Sequence, residues 1–202
     1  MKFRLISYFC KILVIIFFVG FPGSAKSGQN VALKTNLLYD ATATANLGLE
    51  FGLGRKWSLD ISGDLNVWSF SDGKRWKHWL AQPELRYWFC GNMGGHFLAL
   101  HALGGQYNVG KVNLDFLGFL GDNFKDFKTL RHQGWYAGGG IGYGYCWMLG
   151  KHWNMELEIA VGYIHTEYDL FECADCGRKI ESGLTHNYIG PTKLAFNIGY
   201  VF

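Results

Sequence analysis

The chain has three prolines in 202 residues, so little in it breaks extended structure. A membrane-crossing helix takes about 20 consecutive apolar residues. The one long apolar run, residues 12–21, is half that length, and nothing after it comes closer. Excess charge is lacking too. The formal net charge is +3, and Lys2, Arg4 and Lys11 near the start account for all of it. The remainder is neutral, so the apparent basicity belongs to this opening segment and gives no reason to expect a nucleic-acid partner.

The first residues combine that positive cluster, the short apolar run and the small residues Gly23, Ser24 and Ala25. This is the pattern of a secretory signal peptide. Cleavage is expected after Ala25, leaving residues 26–202 as one domain. Cys10 precedes the apolar run and so cannot be a lipid-attachment cysteine after it.

Alternation with period two, which sends successive side chains to opposite faces of a strand, dominates the rest and recurs eight times. Residues 44–54 set Ala45, Leu47, Leu49, Phe51 and Leu53 against Asn46, Gly48, Glu50 and Gly52. Residues 57–67 set Trp57, Leu59, Ile61 and Leu65 against Ser58, Asp60, Ser62 and Asp64. Further segments are expected at 31–41, 79–89, 97–107, 135–149 and 153–163, and from Thr192 to Phe202. In the fifth, Leu98 and Leu100 are turned outward so that His101 avoids the apolar face. Segments of about 9–11 residues suit tilted strands crossing a bilayer, and an even antiparallel set closes without edges. The expected fold is therefore all-β, an eight-stranded antiparallel up-and-down transmembrane barrel.

Aromatic residues fit two girdles around an aliphatic band. Trp57, Tyr87, Phe89, Trp147, Trp153, Tyr200 and Phe202 fall at one end of the strands. Tyr39, Trp79, Trp135 and Tyr163 fall at the other. Connections at the first end are short, whereas residues 108–133 and 166–187 read as long external loops. Eight strands enclose a space that side chains fill. The inward set holds Asp40, Glu50, Asp60, Asp64, Glu84, Glu156 and Glu158 against Lys34, Arg86 and Lys193. Seven acids outnumber three bases, so some carboxylates are expected to share protons or sit in trapped water within a polar plug.

The runs Lys34-Thr35-Asn36-Leu37-Leu38-Tyr39-Asp40-Ala41-Thr42, Asn46-Leu47-Gly48-Leu49-Glu50 and Gln82-Pro83-Glu84-Leu85-Arg86-Tyr87-Trp88 carry a resemblance. So do Gly104-Gly105-Gln106-Tyr107-Asn108, Gly144-Tyr145, Lys151-His152-Trp153-Asn154 and Gly190-Pro191-Thr192-Lys193. The chain resembles the domain-of-unknown-function 3575 family, outer-membrane barrels of Bacteroides-type bacteria. The resemblance implies fold and location, and carries no activity. Some members are encoded near fimbrial genes, which hints at surface assembly. Ile198, Tyr200 and Phe202 resemble the terminal signal read by the barrel-assembly machinery, an expected partner during biogenesis.

Cys173 and Cys176, with His165 and His186 nearby, have the residue types of a zinc site, but one CxxC pair fixes only half of a tetrahedron. A local disulfide or free thiols is the plainer reading, and no cofactor is expected. Cys90 and Cys146 are expected one strand apart, too far for a disulfide. His78, His132, Ser69, Ser71 and Asp72 gather near the external rim without the spacing that would orient a nucleophile, base and third group. Val112, Leu114, Phe116, Phe119 and Phe124 make the segment 109–133 unusually apolar, as for a lid over the barrel mouth. The glycines at 138–144 have no helix after them to hold phosphate and are expected to make room and let the strand bend. Together these features point to a non-enzymatic outer-membrane scaffold whose external loops meet lipopolysaccharide or a surface protein. A lipid-modifying enzyme or small-ligand carrier is the alternative.

Overall fold

The computed structural model describes residues 31–68, 75–91, 93–111, 130–172 and 177–202. The export segment, Ser69, Ser71, Asp72, most of the expected lid, Cys173 and Cys176 lie outside the described residues.

Alternating side chains produce strands β1 (Val31–Asn36), β2 (Ala45–Gly52), β3 (Trp57–Asn66), β4 (Arg75–Trp88), β5 (Gly95–Gly110), β6 (Arg131–Met148), β7 (Trp153–Phe171) and β8 (Lys179–Val201). Each pairs antiparallel with the next, and β8 returns to β1 to close a barrel. This is the eight-stranded antiparallel arrangement that the alternation predicts. The fifth strand takes the expected register: Leu98 and Leu100 are exposed and His101 is buried inside.

Three local features depart from simple alternation. The first strand stops at Asn36 instead of continuing to residue 41. Asn36 Oδ1 accepts the N–H of Leu38 (3.1 Å) and caps a single helical turn, α1 (Leu37–Ala41). Asp40 therefore sits on this turn rather than on an inward strand face, accepting from Thr35 Oγ1 (2.9 Å) and Asn46 Nδ2 (2.8 Å). Tyr39, expected in the outer girdle, lines an internal cavity instead.

The second departure lies in β8, where the register slips between Ala160↔Lys193 and Val161↔Pro191. Thr192 is the extra residue of this bulge and turns inward beside Lys193, where its Oγ1 meets His101 Nε2 at 3.1 Å. Strict alternation had put Thr192 outside. Pro191, which has no N–H to offer, stands at the same irregularity.

The third departure concerns segment 166–187, expected as a loop. Most of it is strand: β7 runs to Phe171 and β8 starts at Lys179, with pairing as far as Phe171↔Lys179. Near its tip Asp169 accepts from Lys179 Nζ (2.6 Å) and from the N–H of Gly183 (3.2 Å). Strand lengths are consequently uneven, from 6 residues in β1 to 23 in β8.

The β6–β7 wall depends on missing side chains. A Cβ on Gly140 would stand 2.3 Å from Val161 O, and one on Gly162 would stand 2.2 Å from Gly139 O. The two backbones approach so closely there that no other residue fits.

Gly162→Val is expected to destabilise the barrel by about 1–3 kcal/mol. Gly48→Ala, whose Cβ would meet nothing nearer than 3.6 Å, is expected to be near neutral. Thermal unfolding of the purified protein compares the two, and equal effects would contradict the close approach. A second prediction concerns pH. The Lys179 hydrogen bond, then the Gly183 N–H, hold the Asp169 carboxyl below the usual carboxylate range. Because the folded value is depressed, ordering of the hairpin tip is present above the unfolded value of 3.8 and is lost as pH falls through the folded one. The Gly183 amide chemical shift, followed by NMR, should titrate below pH 3.8, and a midpoint at or above it would refute the bond.

Candidate functional site

The barrel interior is layered. At the end bearing the short turns, Ala32, Trp88, Met93, Phe97, Ala99 and Cys146 form a small apolar seal. Trp88 and Phe97 pack at 4.7 Å between ring centroids, and the Arg86 guanidinium lies 4.5 Å over the Phe97 ring. Alternation along β4 and β5 puts Trp88 and Phe97 inward, and the β4–β5 register sets them directly opposite each other on adjacent strands.

Above the seal, three cations bind five carboxylates. Arg86 Nε donates to Glu84 Oε1 (2.6 Å), Nη1 to Glu50 Oε2 (3.1 Å) and Glu156 Oε2 (3.0 Å), and Nη2 to Glu158 Oε2 (3.0 Å). Lys34 Nζ meets Glu50 Oε2 (2.5 Å), Glu156 Oε2 (3.3 Å) and Asp60. Lys193 Nζ bridges Glu84 Oε2 (2.7 Å) and Glu158 Oε2 (3.0 Å). These side chains come from β1, β2, β3, β4, β7 and β8, so the network ties most of the barrel's circumference together. All but the partly buried Lys193 are buried, and Arg86, Glu50, Glu156 and Glu158 are fully so. Neutral donors complete the set: Ser58 Oγ donates to Glu50 and accepts from Trp88 Nε1 (2.8 Å), and Asn197 Nδ2 donates to Glu156 (3.3 Å).

Of the seven acids expected inside, Asp64 borders a cavity of about 30 Å³ above this layer, with Asn36, Asn46, Ser62 and Gln82. Gln82 Nε2 is buried there without a protein partner, and the space suits about two water molecules. Asp40, as described, lies on α1. The cavity wall includes the seam where β1 leaves the sheet. There Asn36 Oδ1 accepts from Phe196 N (3.2 Å), Asn36 N donates to Asn46 Oδ1 (2.6 Å), and Asn46 Nδ2 donates to Asn36 O (3.2 Å). Side-chain amides thus satisfy backbone groups that β1 no longer pairs.

The other sequence candidates fall elsewhere. His165 pairs with Asn187 and His186 with Thr166, on adjacent rungs whose side chains point to opposite faces. The two histidines therefore do not converge on one ion, and no metal-binding group of three appears among the described residues. His165 Nδ1 is instead 2.7 Å from Asn187 Oδ1. Cys90 and Cys146 are free thiols. Ile198 and Tyr200 share the outer face of β8 and Phe202 follows its end, where Tyr200 packs on Trp153 (5.3 Å) and Phe202 (5.1 Å). Along β4, His78 is half-buried; Ser69, Ser71 and Asp72 lie outside the described residues.

Removing one member of a buried ion network strands its partners, even where the intact network adds little net stability. Arg86→Met is expected to cost about 3–5 kcal/mol. Arg86→Lys, which keeps charge but loses the planar fork, should fall between it and wild type. Urea unfolding followed by tryptophan fluorescence measures both, and an unchanged midpoint for Arg86→Met would contradict the network.

No curated protein matches this chain. A family model described as "Protein of unknown function (DUF3575)" matches residues 12–202. With nearly the whole length covered, the chain belongs to the DUF3575 family.

Proposed function

We propose that this protein is an outer-membrane β-barrel without enzymatic activity, which holds its protruding hairpin and loops at the cell surface for interaction with other molecules. One observation carries the reading: the polarity of the barrel is inverted. Fully buried Arg86, Glu50 and Glu156 fill the inside, while Leu100, Ile141 and Ile159 stand 60 %, 65 % and 59 % exposed outside. In water each such aliphatic side chain forfeits about 1.5–3 kcal/mol of burial. A bilayer supplies the missing apolar environment. Trp57, Trp147 and Trp153 at one end and Trp79, Trp135 and Tyr163 at the other are exposed where interfaces would lie. The export pattern of residues 1–25 supports the same location.

The sealed lumen supports a scaffold over a pore, since the ion network and the Trp88–Phe97 seal occupy the path. Catalysis gains little support from the interior. His101 Nε2 meets Thr192 Oγ1, but His101 Nδ1 has no protein partner to orient the ring as a base. Strands β4 to β8 stay paired up to the rung of Arg75, Gly110, Arg131, Phe171 and Lys179, well beyond the end of β1, and the β7–β8 end of this wall suits a surface contact.

Protease treatment of intact cells is expected to cut within residues 172–178 and to spare the turns at 53–56, 89–94 and 149–152. The reverse pattern would invert the orientation, and protection of all these sites would remove the surface role. In planar bilayers the purified protein should show no steady conductance, and open channels would contradict the sealed lumen. Deletion of the protein should leave lipid A acylation unchanged, and an altered mass spectrum would favour a lipid-modifying enzyme.

A further inference from the structure

Barrel exteriors are ordinarily convex, yet the outer wall across β3 to β8 carries two hollows. The upper one, about 430 Å³, is lined by Lys77, Trp79, Gln106, Asn108, Gln133 and Trp135 among others. The lower one, about 1120 Å³, is almost wholly apolar and is lined by Leu85, Leu98, Leu100, Ile141, Ile159 and Leu194 among others.

Between them lies a surface of very small residues. Gly63 pairs with Ala81, Ala81 with Gly104, Gly104 with Ala137, and Ala102 with Gly139, all on the outer face. The backbone does not require glycine at two of these positions. A Cβ on Gly63 or Gly104 would meet nothing closer than 3.7 Å, and neither has a left-handed φ. This contrasts with inward Gly140 and Gly162, where a neighbouring backbone leaves no space. Gly63 and Gly104 leave the outer face between the polar hollow and the apolar one without side chains at their positions.

We propose that this wall binds a lipid with a sugar headgroup, the head in the upper hollow and the acyl chains in the lower. The inference rests on the membrane reading above. Gln106 and Leu100 are six residues apart on β5, about 20 Å along a strand. That span matches an amphiphile reaching from an interface into the hydrocarbon. Chemistry selects the head. Indoles at Trp79 and Trp135 offer flat apolar faces with one polar edge, which suit a sugar ring. Amides flank them: Trp79 Nε1 donates to Gln106 Oε1 (3.3 Å) and Asn108 Nδ2 donates to Gln133 Oε1 (3.2 Å). Asn108 Oδ1 is buried without a protein partner and can accept from a hydroxyl. Charge is sparse. Lys77 is the hollow's lysine, and Asp169 at its border is already held by Lys179. A head with several phosphates would need more cations than this, so a neutral or singly charged glycosyl head fits best.

The test uses protein extracted from membranes and transferred to phosphatidylethanolamine nanodiscs that hold equal amounts of monoglucosyl diacylglycerol and phosphatidylglycerol with identical chains. Native mass spectrometry then reads the lipid retained. We expect about ten-fold preference for the glucosyl lipid, equivalent to about 1.4 kcal/mol. Gln106→Ala with Gln133→Ala should abolish the preference. Gly63→Leu with Gly104→Leu should reduce retention of both lipids several-fold, while heat-modifiable electrophoretic migration shows the barrel intact. Equal retention of both lipids by the wild type would overturn the proposal. So would displacement by soluble methyl glucoside unaffected by the leucine variants, which would leave a free-sugar site. A dimer mass lost in the leucine variants would instead assign the wall to a second copy of the chain. If the wild type failed to enter the discs at all, the membrane reading would fall and this inference with it, whereas insertion without preference would sink the lipid site alone.

Discussion

Arg86 is the residue on which the interior depends. A guanidinium taken fully out of water is costly unless every donor is used and its charge is matched. Here its three nitrogens reach Glu84, Glu50, Glu156 and Glu158, which arrive from β2, β4 and β7. Lys34 and Lys193 then neutralise much of the charge that five crowded carboxylates would leave. Strands that share such a network cannot slip by one residue without driving charge outward and grease inward, so the network fixes register around the ring. Its contribution is thus more to a unique structure than to raw stability.

With the register fixed, the outside follows. Every strand that sends a carboxylate or a small residue inward sends an aliphatic or aromatic one outward. The uneven strand lengths follow from a second set of polar contacts. Asn36 and Asn46 satisfy the backbone where β1 stops, which lets α1 take the place of a longer strand and leaves β7 and β8 to project beyond the short side.

Much of this was legible from period two alone. Strand number, the inward charges from Lys34 to Lys193, and the outward turn of Leu98 and Leu100 all follow from which side chains tolerate which surroundings. What escaped has local physical causes. An asparagine that caps a helical turn overrides alternation after Asn36, so Asp40 and Tyr39 leave the surroundings that alternation predicts. A bulge beside Pro191 inverts Thr192, and a pattern that assumes one residue per rung cannot register it. The hairpin beyond residue 166 reads as loop because Leu170 and Phe171 fall on successive positions among Glu167, Asp169, Lys179 and Glu181, which breaks the alternation although the backbone still pairs. His165 and His186 flank one segment of the sequence, but adjacent rungs send them to opposite sides. The hollows of the outer wall depend on residues from six strands together, which no single segment reveals.

The central claim is that apolar side chains contact hydrocarbon while the inward ones meet neither lipid nor bulk water. Methyl-labelled protein in lipid discs tests this without substitution, through magnetisation transfer from acyl-chain protons. Methyls of Leu100, Ile141 and Ile159 should receive it strongly, and those of buried Ala32 and Ala195 should receive none. Transfer from water to the first group, or from lipid to the second, would contradict the account.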